Sequence, residues 1–232
     1  MIGNFDVVGY LLGLLVLFLS VSVHEYAHAK AAYDMGDKTA YYAGRMTLNP
    51  IKHFEPLGLI LILLRAPVAW GKPVPVNPRN IDDDRDYKKA TLWIALAGIT
   101  SNLILAVIAV ALYYLLGIVL LAFKPVGTAV TIINTIQSLC FSLMFTNINL
   151  AVFNILPIPP LDGFELWGRI LPAKWTQWMN RNARYIGLVF FLIIVFFNRP
   201  FGRFLRLIIN PLVKVINFPF RKIFELIAQA LI

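Results

Sequence analysis

The sequence predicts an all-α membrane protein that crosses the bilayer about four times. Hydrophobic residues make up 59% of the 232 residues and charged residues only 14%, whereas a soluble domain carries about 25% charged residues. The apolar residues form long blocks, and the Lys and Arg residues lie between and after them. The net charge is +9, but the Lys and Arg residues form no single basic stripe. We therefore expect these residues to contact lipid headgroups, and we exclude nucleic acid as a partner.

Four apolar segments account for the predicted spans. The first is an uncharged run of 17 residues, 7–23, in a helix that we expect to end near Met35 and Gly36. Residues 91–123 and 126–156 are each long enough to cross a hydrocarbon core of about 30 Å. A shorter fourth span is expected near residues 185–197.

Two further segments do not match a simple span. Residues 57–64 are apolar but too short to cross, so we expect a re-entrant or interfacial segment, and the irregular region 41–64 is a candidate for an exposed strand edge. The basic tail is expected to form interfacial amphipathic helices that break at Pro211 and Pro219, although a fifth span is not excluded. The predicted division is a core, residues 1–198, and a tail, residues 199–232.

The distribution of basic residues predicts the orientation of the chain. Ten of the 21 Lys and Arg residues lie between Lys30 and Lys89, whereas the link between the two long spans holds only Lys124. Cytoplasmic loops are enriched in Lys and Arg. We therefore expect a multi-pass protein of the cell membrane, with the N-terminus outside and the 30–89 loop on the cytoplasmic side.

The end of the first predicted span carries the motif HEYAH, residues 24–28. His24 and His28 lie on one face of a helix because positions i and i+4 are neighbours there. Two imidazoles at this spacing are typical zinc ligands, and Glu25 is placed to act as acid/base on a water at the metal. The alternative is a polar helix end at the interface, but ionisable groups within a membrane span are costly and usually functional.

A catalytic zinc site typically has three protein ligands, so one more is expected. Asp162 follows the proline-rich segment 157–161, whose irregular backbone at membrane depth must be buried or line a cavity. From residue types alone, a ligand and a simple turn aspartate before Gly163 stay equally open. His53 is the remaining histidine, and loop packing is the favoured role for it over a role beside the site.

Asn102, Asn149 and Asn154 lie within the predicted spans. Asn149 and Asn154 could hydrogen-bond between helices, or Asn154 could donate its amide to the oxyanion of a peptide bond under attack. Asn102 is expected to pack or hydrogen-bond between helices.

The motif HEYAH together with NINLAVFNILPIPPLDG, residues 147–163, resembles the paired signatures of the site-2 protease family of intramembrane zinc metalloproteases. GRMTLNPIKHFEPLG and GKPVPVNPRN resemble its compact prokaryotic branch. The resemblance covers about residues 20–165. It implies that His24, His28 and Asp162 bind one Zn²⁺, that Glu25 is the acid/base, and that Asn154 contacts the substrate or oxyanion.

The resemblance also implies the reaction, which is hydrolysis of peptide bonds within or near transmembrane segments of other membrane proteins during regulated intramembrane proteolysis. The chain has LDGF where the family usually has LDGG, and Ala97-Gly98-Ile99 where it often has AGP; neither change removes a reactive group. A non-catalytic membrane-protein-binding relative and a zinc or ion transporter are the alternatives. Glu25→Gln separates them, since transport survives that change if zinc still binds, whereas hydrolysis does not.

Overall fold

The computed structural model describes residues 6–56, 58, 60, 71–82 and 85–231. Three helices there are long and apolar enough to cross a membrane, and a bent pair makes a fourth crossing if it is one span. The predicted all-α, multi-pass membrane fold is therefore confirmed. The α-helices that position the site are, in chain order, α1 (Val7–Asp34), α2 (Thr39–Tyr42), α3 (Tyr87–Phe123), α4 (Thr128–Asn154), α5 (Gly163–Trp167), α6 (Ala173–Arg181), α7 (Ala183–Phe196) and α8 (Asn198–Leu231).

The three long spans α1, α3 and α4 agree closely with the apolar segments of the sequence. Acidic residues cap two of them: Asp6 Oδ1 accepts from Gly9 N at 2.9 Å, and Asp86 Oδ1 accepts from Lys88 N at 2.9 Å. Such caps satisfy amide groups that have no partner inside the helix. The shorter fourth segment corresponds to α7, which is bent by 78° relative to α6.

Helix α3 lies at the centre of the bundle and packs against α1, α4 and α8. Its buried face consists largely of small residues, which allow neighbouring helix backbones to approach closely. One core cluster joins it to α4 and α8, and its buried members are Ala106, Ala109, Val110, Met144, Ile148, Val152 and Ile209. Nearer its N-terminal end, α3 contacts α1 through polar groups that belong to the candidate site.

The connection between α1 and α3 is held by a buried carboxylate. Asp37 is fully buried and accepts hydrogen bonds from Thr39, from Asn77 N at 2.6 Å and from Asn80 Nδ2 at 3.2 Å. Burial by itself raises the pKa of Asp37, but these hydrogen bonds outweigh it and hold the pKa below the ordinary value of 3.8. Asp37 thus fixes segment 77–80 to the end of α1.

The strand edge expected in region 41–64 is not formed by its described residues. They contain α2, a 3-10 turn at Pro50–His53 and one isolated antiparallel bridge, Phe54–Gly71. The chain turns too often there for a continuous extended strand. Residues 57, 59 and 61–70, which include most of the expected re-entrant segment, lie outside the described part.

The tail differs from its prediction in one respect. Residues Asn198–Leu231 form one continuous helix, α8, with Pro211 and Pro219 inside it, whereas we expected breaks at both prolines. Its apolar stripe packs on α3 and α4, with Ile209 buried, and Asn217 between the prolines accepts from Tyr114 Oη at 3.4 Å. Packing against neighbouring helices compensates for the hydrogen bonds that proline removes. The division at residue 198 and an interfacial position for the tail stay predictions.

Candidate metal centre

Two imidazoles from the last turns of α1 face the centre of the bundle. His24 and His28 are 7% and 8% exposed, and their Nε2 atoms are 3.1 Å apart. The i, i+4 spacing brings the rings together at right angles, with centroids 4.6 Å apart. The helix therefore presents two nitrogen atoms at one point.

Asp162 reaches the same point from the connection between α4 and α5. Its Oδ2 lies 3.2 Å from Nε2 of His24 and 3.2 Å from Nε2 of His28. The connection passes close beneath α4, and Gly163 is necessary for this approach. A Cβ at Gly163 would lie 2.6 Å from Leu156 O and closer still to Ile155 O. The glycine after the aspartate thus sets the position of the carboxylate.

The three atoms form a triangle with edges of 3.1–3.2 Å. Tetrahedral zinc with bonds of about 2.0–2.2 Å would hold its ligand atoms about 3.3–3.6 Å apart, only slightly farther than these edges. The converging lone pairs repel one another unless a proton or a cation lies between them.

The face of α3 opposite the histidines carries no side chain at its point of closest approach. A Cβ at Gly98 would lie 2.6 Å from His24 Cε1 and closer still to His28 Nε2. Any other residue would fill the space that the imidazoles occupy. Gly98 therefore keeps α3 close to α1 and leaves the donor atoms unobstructed.

The other ring nitrogen of His28 has a backbone partner. Its Nδ1 lies 2.7 Å from the carbonyl oxygen of Ile94 on α3. A carbonyl only accepts, so Nδ1 carries the proton and Nε2 of the neutral ring keeps its lone pair. Metal-binding histidines are usually oriented by such an acceptor on the second nitrogen.

Glu25 faces a different partner, the extended segment 71–77. Its Oε2 accepts from Val74 N at 2.9 Å. Two contacts fix that segment: Arg45 Nη2 donates to Lys72 O at 2.6 Å, and Lys72 N donates to His53 O at 2.8 Å. The Arg45 side chain is buried beneath this segment. One carboxylate oxygen of Glu25 is thus held by a braced loop.

The remaining expected residues are distributed as follows. Asn154 is the last residue of α4 and is half-buried, and its amide has no hydrogen bond to any described residue. Asn149 donates to Phe145 O of its own helix. His53 is fully buried, and its Nε2 pairs with Thr47 O at 2.7 Å within the loop, as the packing interpretation expects.

Sequence reasoning did not identify Gly98, Val74 or Arg45 as parts of this site. Gly98 was noted only as part of the Ala97-Gly98-Ile99 departure from AGP. Val74 acts through its backbone amide, which gives no signal in the sequence. Arg45 lies in a region rich in basic residues, where one arginine does not stand out.

Comparison with known proteins identifies the family. A family profile described as "Peptidase family M50" matches residues 12–197. YwhC of Bacillus subtilis, a zinc metalloprotease by name, is 37% identical over 226 residues, which cover 94% of this chain and 93% of YwhC. No solved structure matches the chain.

Two proteins named Rip2, also zinc metalloproteases by name, are more distant. The Mycolicibacterium smegmatis protein is 29% identical over 172 residues and the Mycobacterium tuberculosis protein 30% over 181 residues. The chain spans 60% and 63% of their lengths. The profile covers most of the chain, and the helices that it covers include spans long and apolar enough to cross a membrane. The chain belongs to peptidase family M50, the site-2 protease family, and is an intramembrane zinc metalloprotease.

Proposed function

We propose that His24, His28 and Asp162 hold one Zn²⁺ per chain and that Glu25 and Asn154 act on the substrate. The observation that carries this proposal is the triangle of two buried imidazole nitrogens, both on the span α1, and one partly buried carboxylate oxygen. The substrates are peptide bonds within or near transmembrane segments of other membrane proteins. We assign the reaction to regulated intramembrane proteolysis.

Zinc in such a site supplies Lewis acidity toward the scissile carbonyl and a water of lowered pKa. Glu25 handles the protons. Its Oε2 is held by Val74 N, whereas its Oε1 accepts no hydrogen bond from a described residue. Oε1 is therefore the atom that takes the proton of the attacking water and delivers it to the leaving nitrogen.

Asn154 stabilises the charge that develops on the carbonyl oxygen. Its side-chain amide has no partner among the described residues, so both of its N–H bonds are available to a substrate. A donor aimed at the oxyanion stabilises the transition state more than the ground state, because the negative charge develops only as water attacks the carbonyl. The substrate helix must unwind first, since its carbonyls otherwise accept hydrogen bonds within the helix.

The active site opens toward the cytoplasmic side of the cell membrane in this proposal. Seven of the 21 basic residues lie in the connection between α1 and α3, which contacts Glu25 through Val74. The enrichment of cytoplasmic loops in Lys and Arg supports this orientation. The N-terminus then lies outside.

The test compares cells that make the wild type with cells that make Glu25→Gln. Glutamine keeps the shape of the side chain but cannot take a proton at neutral pH. We expect zinc content to persist at about one per chain in the purified variant, while its membrane substrates accumulate uncleaved in quantitative membrane proteomics. Cleavage at the wild-type rate by Glu25→Gln would refute the assignment of the acid/base.

A further inference from the structure

Helix α3 presents a stripe of three positions to the histidines of α1. These positions are Ile94, Gly98 and Asn102, spaced by four residues along one helix face. The carbonyl of Ile94 meets His28, and Gly98 leaves room for both rings. The third position, Asn102, is fully buried, and its amide lies 3.2 Å from Nδ1 of His24. The two histidines therefore each have one partner on α3.

The chemistry of His24 decides which end of the Asn102 amide pairs with it. If Nε2 of His24 donates its lone pair to a cation, the ring proton must be on Nδ1, and Nδ1 then needs an acceptor. The amide nitrogen of Asn102 faces Nδ1, and its Oδ1 is buried with no partner among the described residues. A rotation of the carboxamide by 180° exchanges its oxygen and nitrogen atoms, which places Oδ1 against Nδ1 of His24.

Either orientation leaves one end of the amide without a described partner. The protonation of His24 therefore determines the preferred orientation, because only the oxygen can pair with a protonated Nδ1. We infer that Asn102 is a positioning residue whose Oδ1 accepts the Nδ1–H of His24 and thereby fixes the Nε2 lone pair on the zinc. This inference rests on the proposed role of His24 as a ligand.

A second buried asparagine provides the structural comparison. Asn147 of α4 is also fully buried, also contacts α1, and also has an Oδ1 without a partner among the described residues. It donates to Ser20 Oγ at 2.8 Å, one turn before His24, and to Leu143 O of its own helix, and it forms no hydrogen bond with either histidine. Asparagines commonly join helices in membranes in this way. Asn147 therefore has the helix-joining role alone, whereas Asn102 has a metal-directed role as well.

The experiment measures zinc affinity of the full chain in detergent by competition with a chelating dye. Asn102→Leu keeps the approximate volume and removes the acceptor, and we expect about 10–100-fold weaker zinc binding. Asn102→Asp keeps an oxygen at the same place, and we expect it to retain zinc at least as tightly as the wild type. If the leucine variant does not accumulate, Asn102→Ala replaces it, because alanine adds no volume.

Asn147→Leu is the matched control. We expect it to change thermal stability, while its zinc affinity stays within about 3-fold of the wild type, because Asn147 forms no hydrogen bond with a proposed ligand. Unchanged zinc affinity in Asn102→Leu or Asn102→Ala would overturn the inference and leave the proposed function standing. Equal losses in the Asn102 and Asn147 variants would overturn it too, because the effect would then be general destabilisation. A wild type that binds no zinc would overturn the proposed function itself.

Discussion

The substitution Gly98→Ala adds one methyl group at the point where α3 faces the histidines. The new Cβ would lie 2.6 Å from His24 Cε1, whereas carbon atoms at ordinary contact are about 3.5–4.0 Å apart. The imidazoles must therefore retreat by about 1 Å, or the helices must separate by a similar distance. Zinc–ligand distances are held within about 0.2 Å, so a shift of this size breaks the coordination geometry.

We expect Gly98→Ala to weaken zinc binding by at least about 100-fold. Removing a residue that only hydrogen-bonds a metal ligand lowers metal affinity by up to about 100-fold, and here the ligands themselves are displaced. The cost in stability is that of overpacking, about 1–3 kcal/mol. The assay is zinc content per chain of the purified protein, determined by elemental analysis together with its thermal unfolding temperature. The variant should stay folded and lose its metal.

Gly13→Ala on α1 is the matched control. A Cβ at Gly13 meets nothing within 4 Å, so the same change adds a methyl group without a clash. Alanine stabilises a helix by about 0.5–1 kcal/mol relative to glycine, so this variant should keep its zinc and its stability. If Gly98→Ala retains one zinc per chain, the space at Gly98 does not serve the metal and this reasoning is wrong.

Three further predictions concern the other parts of the site. Asp162→Ala should lower the zinc content measured by elemental analysis, and unchanged occupancy would exclude Asp162 as a ligand. Arg45→Met should slow cleavage of the substrates that Glu25→Gln accumulates while zinc content stays at the wild-type level, because the segment that holds Glu25 loses its brace. The third prediction concerns Asp37, whose pKa in the folded protein lies below its ordinary value of 3.8. Its hydrogen bonds therefore contribute fully to the free energy of unfolding above pH 3.8, and this contribution is lost as the pH falls through the folded-state pKa. Asp37→Asn should be about 1–3 kcal/mol less stable at neutral pH and should lack this acid-dependent loss in thermal unfolding.

The part of the site that lies on α1 could be predicted from the sequence because its residues are close together in the chain. His24, Glu25 and His28 share one helical segment, and the spacing of four residues fixes their common face. The setting within an apolar run separates this motif from a chance match. No long-range contact was necessary for that prediction.

Asp162 could not be assigned from residue types alone. It lies 134 positions after His28, and its approach depends on how the end of α4 packs and on the missing side chain of Gly163. Only the resemblance to a family favoured a ligand over a turn. Its position 3.2 Å from both imidazole nitrogens is consistent with the ligand interpretation.

The breaks expected in the tail were predicted from proline alone. Local sequence favours a break because proline lacks an amide hydrogen and its ring clashes with the preceding turn. The continuous α8 depends on contacts with α3 and α4, such as the burial of Ile209, that no local rule includes. Tertiary packing thus overrides the local preference.

The most direct test of the zinc site is the X-ray absorption spectrum of the purified protein at the zinc edge. It reports the identity and distance of the atoms around the metal. We predict two imidazole nitrogens at about 2.0–2.1 Å, carboxylate oxygen at about 2.0–2.2 Å, and no sulfur. A sulfur neighbour, which only Cys140 or a methionine could supply, or fewer than two imidazoles would contradict the assignment of His24, His28 and Asp162.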